Sequence, residues 1–425
     1  MVHSGWNSKD EGKLHLHLRQ STPATPGQSE KKPFYIPVRT SFLDAQGHDV
    51  RPCELNSEGL IILNKAEQDY EFTLNDDCLP VLLRDFSAPV KLNAQYTDEE
   101  LTRILTYCDD PFMRVDAAVT MQNRYVHENL NREVFTEPDR LIEAYRKILT
   151  NVNDSTDLIL LNELIRIQDV ESLIQTIEGQ IDIDQLAKIR AHLESAVAVA
   201  LMNEFKKIYE TVIAFRNEYS VSDMGRRAVN NTALHMLSLG LLSSGKGELA
   251  SSIVLEHYRK DSNMTDRLQA LQDAVHLNLE CRSKLLKSFE KIWGKDALVF
   301  DNYFRVQATV PNAQALDYVT KLIGHKAYDA TNPNRVRALV GAMALSNPVA
   351  LHDKSGKGYN ILCDEVKKLN SINPSVAARI ITPLLSFKRF DEDRQKMIRA
   401  KLSELISMPH ISRAIYEKLD SALKQ

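Results

Sequence analysis

Two arginine-bearing segments carry the most chemistry in this 425-residue sequence. Asn332-Pro-Asn-Arg335-Val-Arg337 opens a helical stretch, where free backbone amides already favour anions. Arg379 lies inside a later helix that starts at Pro374. Guanidinium groups on helices that line a cavity bind carboxylates through paired, parallel hydrogen bonds. The competing reading for each arginine is an ordinary surface or salt-bridging role. The remaining candidates are weaker. His15 and His17 share one face of a strand, but two ligands do not complete a metal site and no third is near in sequence, so a solvated face is the preferred reading. Asp76-Asp77 and Asp109-Asp110 sit beside Cys78 and Cys108 and read as turns or helix caps. His127-Glu128 is followed by Asn129-Leu130-Asn131, so the second histidine of a His-Glu-x-x-His zinc motif is missing. The sequence contains no Gly-x-Ser-x-Gly, Walker A loop or Gly-x-Gly-x-x-Gly. No catalytic residue and no metal ligand set are assigned.

The elements that must position these residues change character near Tyr96-Thr97. Before that point apolar and polar residues alternate in short runs. Leu14-His15-Leu16-His17-Leu18 is a strand, followed by Phe34–Leu43 with Pro37 at an edge or bulge, Leu60–Leu63, Tyr70–Leu74, Leu79–Phe86 and Pro89–Leu92. These predict a small antiparallel β-sandwich over residues 1–95. Because the first strand begins almost at the start of the chain, it is expected to be truncated and to lack a pairing partner.

From Thr97 onward the spacing is helical. Thr97-Asp-Glu-Glu100 is a capping box, Thr136-Glu-Pro-Asp139 opens a further helix, and residues 184–215 form one long helix or two stacked ones. Short connections between successive helical stretches predict antiparallel neighbours stacked as an irregular α-solenoid of HEAT or armadillo type over residues 96–425. The fold class is therefore mixed and mainly α.

Composition excludes several function classes. The net charge of −4 gives no general affinity for nucleic acid or anionic lipid. No run approaches the roughly 20 apolar residues of a membrane span. Five scattered cysteines fit a reducing cytoplasm rather than a disulfide framework.

Six segments together resemble one family: Gln20-Ser-Thr-Pro-Ala-Thr-Pro26, Phe86-Ser-Ala-Pro-Val-Lys91, Asn263-Met-Thr-Asp266, Asn332-Pro-Asn-Arg-Val-Arg337, Ser346-Asn-Pro348 and Lys388-Arg-Phe-Asp391. Their order and spacing are similar to the C-terminal half of bacterial aminopeptidase N, an M1-type zinc metallopeptidase. The resemblance implies a small β-sandwich followed by a helical bowl that closes over the active site, with Arg337 and Arg379 facing peptide substrates. It implies that the zinc and the catalytic glutamate belong to a different half, covalently joined or separate, so this chain is expected to be inactive alone. The alternative is a free-standing α-solenoid that binds a peptide or protein partner.

Overall fold

The computed structural model describes residues 1–10, 12–74, 77–153, 155–211, 220–259 and 263–424. Asp76 of the first acidic pair and residues 212–215 of the expected long helix lie outside them.

Eight strands form two four-stranded sheets: β1 (Val2–Asp10), β2 (Lys13–Gln20), β3 (Ile36–Leu43), β4 (Asp49–Val50), β5 (Leu60–Leu63), β6 (Glu67–Thr73), β7 (Leu79–Leu82) and β8 (Leu92–Ala94). One sheet has the order β6-β2-β1-β8. The other runs β4-β3-β5, with β7 also paired to β3. The alternation of β2 buries Leu14, Leu16 and Leu18. His15 and His17 face outward opposite Glu71 and Asp69, and His17 Nδ1 stands 2.7 Å from Asp69 Oδ1. The histidine pair thus belongs to a ladder of cross-strand polar pairs. Phe42 and Phe72 meet across the two sheets with ring centroids 4.8 Å apart. Pro37 occupies the half of β3 that pairs only with β5, where a missing N–H costs nothing.

One expectation is corrected here. The Leu14 strand is not the first and is not an unpaired edge. β1 precedes it and is itself paired on both sides, antiparallel to β2 and parallel to β8 over Val2–Ser4.

The helices begin with α1 (Asp98–Tyr107), α2 (Pro111–Asn129), α3 (Asp139–Thr150) and α4 (Leu158–Ile165). The Thr97 capping box is complete, with both reciprocal bonds present. Asp110 caps α2, accepting from the amides of Phe112 at 2.8 Å and Met113 at 3.2 Å, as a helix-cap reading requires. Next come α5 (Val170–Ile174), α6 (Ile183–Ala200), α7 (Met202–Thr211), α8 (Val221–Ser243), α9 (Gly247–Arg259), α10 (Met264–His276), α11 (Arg282–Trp293), α12 (Ala297–Ala308) and α13 (Gln314–Ile323). The chain ends with α14 (Pro333–Val336), a π-helical turn over Arg337–Gly341, α15 (Ala342–Ser346), α16 (Pro348–Leu351), α17 (Lys357–Ile372), α18 (Pro374–Ile380), α19 (Glu392–Ile406) and α20 (Arg413–Lys424). The stretch from residue 184 breaks into two helices at Leu201, whose φ of −112° leaves the helical region. The helix from Pro374 stops at Ile380, because Pro383 supplies no amide and clashes with the carbonyl one turn back.

Two compact units result: residues 1–125 with 138–166, and residues 126–137 with 167–425. The first contains the sandwich and four helical segments. In the second, α6, α8 and α10 are joined by a largely buried chain of alternating charge that ends at the fully buried Asp273. Arg190 on α6 donates twice to Glu194, both bonds at 2.7 Å. His235 on α8 has Nε2 3.5 Å from Glu194 and Nδ1 2.8 Å from Asp273 on α10. Gln269 adds a bond of 2.9 Å to Asp273. Nearby, α6 and α8 cross so closely that a Cβ on Gly240 would stand 2.6 Å from the Ala198 carbonyl oxygen.

Two measurements follow. Replacing Gly240 by alanine pushes two helix backbones apart, and urea unfolding is expected to show a loss of about 1–3 kcal/mol. Burial alone would lower the His235 pKa, but Asp273 and Glu194 outweigh it and hold the ring up at about 10, against an ordinary 6.5. The native state therefore grips this proton more tightly than the unfolded chain. The resulting stabilisation is complete below pH 6.5, shrinks as pH rises and is gone above about 10. The stability difference between wild type and His235→Gln should follow that curve; a difference constant from pH 6 to 10 contradicts it.

Candidate functional site

The site is best built from α12, the α14–α15 segment and α18, which bring Arg305, Arg337 and Arg379 to one cavity of about 380 Å³. Leu268 and Gln272 of α10 complete the wall, with Asn302, Val306 and Thr309 beside Arg305, and Gly341, Ala342, Leu345 and Ser346 beyond Arg337. All three arginines are exposed. The two arginines singled out from the sequence are thus brought together, and a third joins them.

The local sequence explains why Arg337 reaches the cavity and Arg335 does not. Pro333 opens the helix at a position where its missing amide is not needed. The Asn332 side chain takes the amides of Asn334 at 3.0 Å and Arg335 at 3.4 Å. Those amides are therefore spent on a cap, and the anion site expected at this helix start is filled by Asn332. Residues two apart on a helix face nearly opposite directions. Arg335 is buried, ion-paired to Asp301 at 3.0 Å and stacked 4.9 Å from the centroid of Phe304. Arg337 begins the π turn, which widens the helix by one residue on the cavity side. Among the described residues its side chain makes one long bond, 3.4 Å, to Asn334 Oδ1.

The electrostatics of the cavity are one-sided. Among the described residues, no carboxylate comes within 4.0 Å of Arg305, Arg337 or Arg379. Asp301, one turn before Arg305, is held by Arg335. Three like charges thus share a concave surface with carboxamides, hydroxyls and a few apolar side chains. Such a surface attracts anions. It contains no nucleophile–base pair. Among the described residues no three His, Cys, Asp or Glu side chains converge to hold a metal ion. Four of the five free thiols are buried, and burial pushes those of Cys108, Cys281 and Cys363 up, away from reactivity. Among the described residues no helix is long and apolar enough to cross a membrane.

Sequence reasoning missed Arg305 and the π turn. The Phe300, Tyr303 and Phe304 stripe of α12 is legible as core, and Arg305 falls on the opposite face like any surface arginine. No residue type marks a π turn.

Comparison with known proteins places this architecture in a class: an Ig-like fold, matched over residues 1–95, followed by ARM repeats, matched over residues 98–424. Both matches are to domains described as of unknown function, DUF3458 and DUF3458_C. Aminopeptidase N of Escherichia coli is 34% identical over 96% of the chain and 47% of its own length. The Haemophilus influenzae aminopeptidase N is 35% identical over the same shares, and that of Caulobacter vibrioides is 32% identical over 90% of the chain and 43% of its own length. A crystal structure of Legionella pneumophila aminopeptidase A in complex with aspartic acid covers 100% of the chain and 48% of its own, with a TM-score of 0.84 at 22% identity, which shows the shared fold. The chain belongs to the DUF3458 family, the C-terminal part of M1 aminopeptidases. It spans about half the length of the curated relatives it matches.

Unpaired cavity arginines contribute nothing to the core. Arg337→Gln and Arg379→Gln are therefore expected to change the unfolding free energy by less than about 0.5 kcal/mol each, with the double variant level with or slightly above wild type because mutual repulsion is removed. A loss above about 2 kcal/mol in urea unfolding would mark them as structural instead.

Proposed function

We propose that the chain is the non-catalytic C-terminal portion of an aminopeptidase N-like zinc metalloaminopeptidase, with the sandwich in residues 1–95 and a helical body in residues 96–425 that encloses the substrate chamber and controls peptide access. The observation that carries this reading is the convergence of Arg305, Arg337 and Arg379 on one cavity without carboxylate partners. Grouping like charges costs folding free energy, so the arrangement favours a ligand that brings negative charge. A peptide brings one, at its C-terminus, and guanidinium forks match a carboxylate geometrically. An aminopeptidase works at the other end of the peptide, so a carboxylate grip orients the substrate without touching the reacting bond. The relatives' twofold greater length supports a partner in the catalytic half, joined covalently or supplied separately, and that half holds the zinc. Five free thiols support a reducing, cytoplasmic setting.

The test is complementation. The chain alone is expected to be inactive. Mixed with an aminopeptidase N catalytic half, it should restore hydrolysis of both an alanyl anilide and alanyl peptides. In that mixture, Arg337→Gln with Arg379→Gln should lower kcat/KM for peptides with a free C-terminus by roughly ten- to a hundredfold, the value of one charge-assisted hydrogen bond. The anilide, which has no carboxylate, should be unaffected. Equal losses on both substrates would defeat the carboxylate role. Peptide binding by the chain alone, with no activity gained on mixing, would favour a free-standing binding module.

A further inference from the structure

The cavity that gathers Arg305, Arg337 and Arg379 carries more positive charge than one peptide terminus can meet. All three side chains are open to solvent, and among the described residues none has a carboxylate within ion-pair distance. Arg337 has only the neutral Asn334 beside it, at 3.4 Å. The acid whose charge reaches Arg305 from farther off, Asp301, is ion-paired to Arg335 at 3.0 Å. His276, whose Nε2 stands 3.4 Å from the Thr309 hydroxyl on the cavity wall, adds no charge at pH 7, because burial lowers its pKa to about 4. The neutral polar lining, Gln272, Asn302, Thr309 and Ser346, adds hydrogen-bonding capacity alone. Val306 is buried and Leu268 and Leu345 are half-buried, so charge is the strongest feature that a ligand meets. One α-carboxylate leaves two of the three guanidinium charges unmet.

We propose that this cavity selects peptides whose C-terminal residue is itself acidic, aspartate or glutamate, so that two carboxylates on one residue share the three guanidinium groups. The proposal rests on the reading above that the cavity receives a peptide C-terminus, and it adds the class of peptide received. Each guanidinium carries five N–H donors in a planar fork, so the three together can serve both carboxylates. The volume of about 380 Å³ lies at the small end of the roughly 300–1,000 Å³ typical of ligand cavities. The two negative charges must therefore sit close together, as they do on a terminal acidic residue and do not on residues far apart in a peptide. A terminal lysine or arginine brings a like charge to the same place and is disfavoured. Because the arginines are exposed, the selection is moderate and falls as salt screens it.

Calorimetric titration of the full chain at low salt tests this with four peptides: Ala-Ala-Ala-Glu, Ala-Ala-Ala-Gln, the C-terminal amide of the latter, and Ala-Ala-Ala-Lys. The glutamate peptide is expected to bind about three- to tenfold more tightly than the glutamine peptide, the value of one or two exposed ion pairs. The lysine peptide should bind more weakly than the glutamine peptide, and the amide more weakly than its free acid. At ~1 M salt, where the screening length falls to about 3 Å, the preference for glutamate should largely disappear. Arg337→Gln combined with Arg379→Gln should abolish that preference. If the double variant loses its helical circular dichroism, Arg305→Gln alone supplies the second reading and should reduce the preference in part. Tighter binding of the free glutamine peptide than of its amide, with no further gain from glutamate, overturns this proposal and leaves the carboxylate grip standing. Equal binding of the glutamine peptide and its amide, or no binding of any peptide, overturns the grip and this proposal with it. An unchanged preference in a folded double variant overturns the assignment to this cavity.

Discussion

In the second unit, acids partly or wholly withdrawn from water are matched by cations. Glu194 lies between Arg190 and His235, and Asp273 takes the far side of the same ring. Asp301 holds Arg335, and Asp184 holds Arg394 through both its oxygens at 3.0 Å. The constraint behind this is desolvation: a carboxylate withdrawn from water must find a cation or give up its charge. The consequence for function is indirect. With these acids committed to fastening α6, α8, α10, α12 and α19 to their neighbours, no carboxylate among the described residues forms a close ion pair with Arg305, Arg337 or Arg379, and Asp301 acts on Arg305 only at longer range. The positive face of the cavity is the residue of a charge balance settled inside the helical stack.

The same division separates what was legible in the sequence from what was not. The β2 strand could be read because three leucines alternate with polar residues. β1 could not, because its inward face carries Val2, Ser4 and Trp6, and the polar Ser4 interrupts the apolar alternation. The Thr97 capping box announces α1 directly. α2 went unread because small and polar residues, Ala117, Ala118, Gln122 and Asn129, break up the buried face that Met113, Met121, Tyr125 and Val126 form. α4 and α5 were too short to show a period. In the candidate site, Arg337 and Arg379 were legible from their helix positions and from the resemblance, whereas Arg305 carries no local signature. Its role depends on three helices meeting, and that is a property of packing rather than of any one segment.

The first unit shows strain where the second shows pairing. Leu83, Asp85 and Phe86 all adopt left-handed backbone conformations, which cost free energy for residues with side chains. They are held by contacts from distant parts of the chain. Arg39 pairs with Asp85 at 2.5 Å, and the Asp85 amide donates to Asp110, which also caps α2. One carboxylate thereby fixes the end of the sandwich to the beginning of the helices. This explains why the first four helices pack with the sandwich in one compact unit, although the change in sequence periodicity falls near Thr97.

The π turn at Arg337–Gly341 sets a limit on how this region can vary. A π turn holds one residue more than the α-helix around it, and removing that residue would let the helix close up regularly. Everything downstream would then rotate by about 100° about the axis relative to Arg337. Leu345 and Ser346 would leave the cavity wall, and the cap that Asn347 gives α16 would be misaligned. Chain length between Asn332 and Asn347 is therefore under tighter restraint than the identity of most side chains within it, and a one-residue deletion there would be felt more than a substitution.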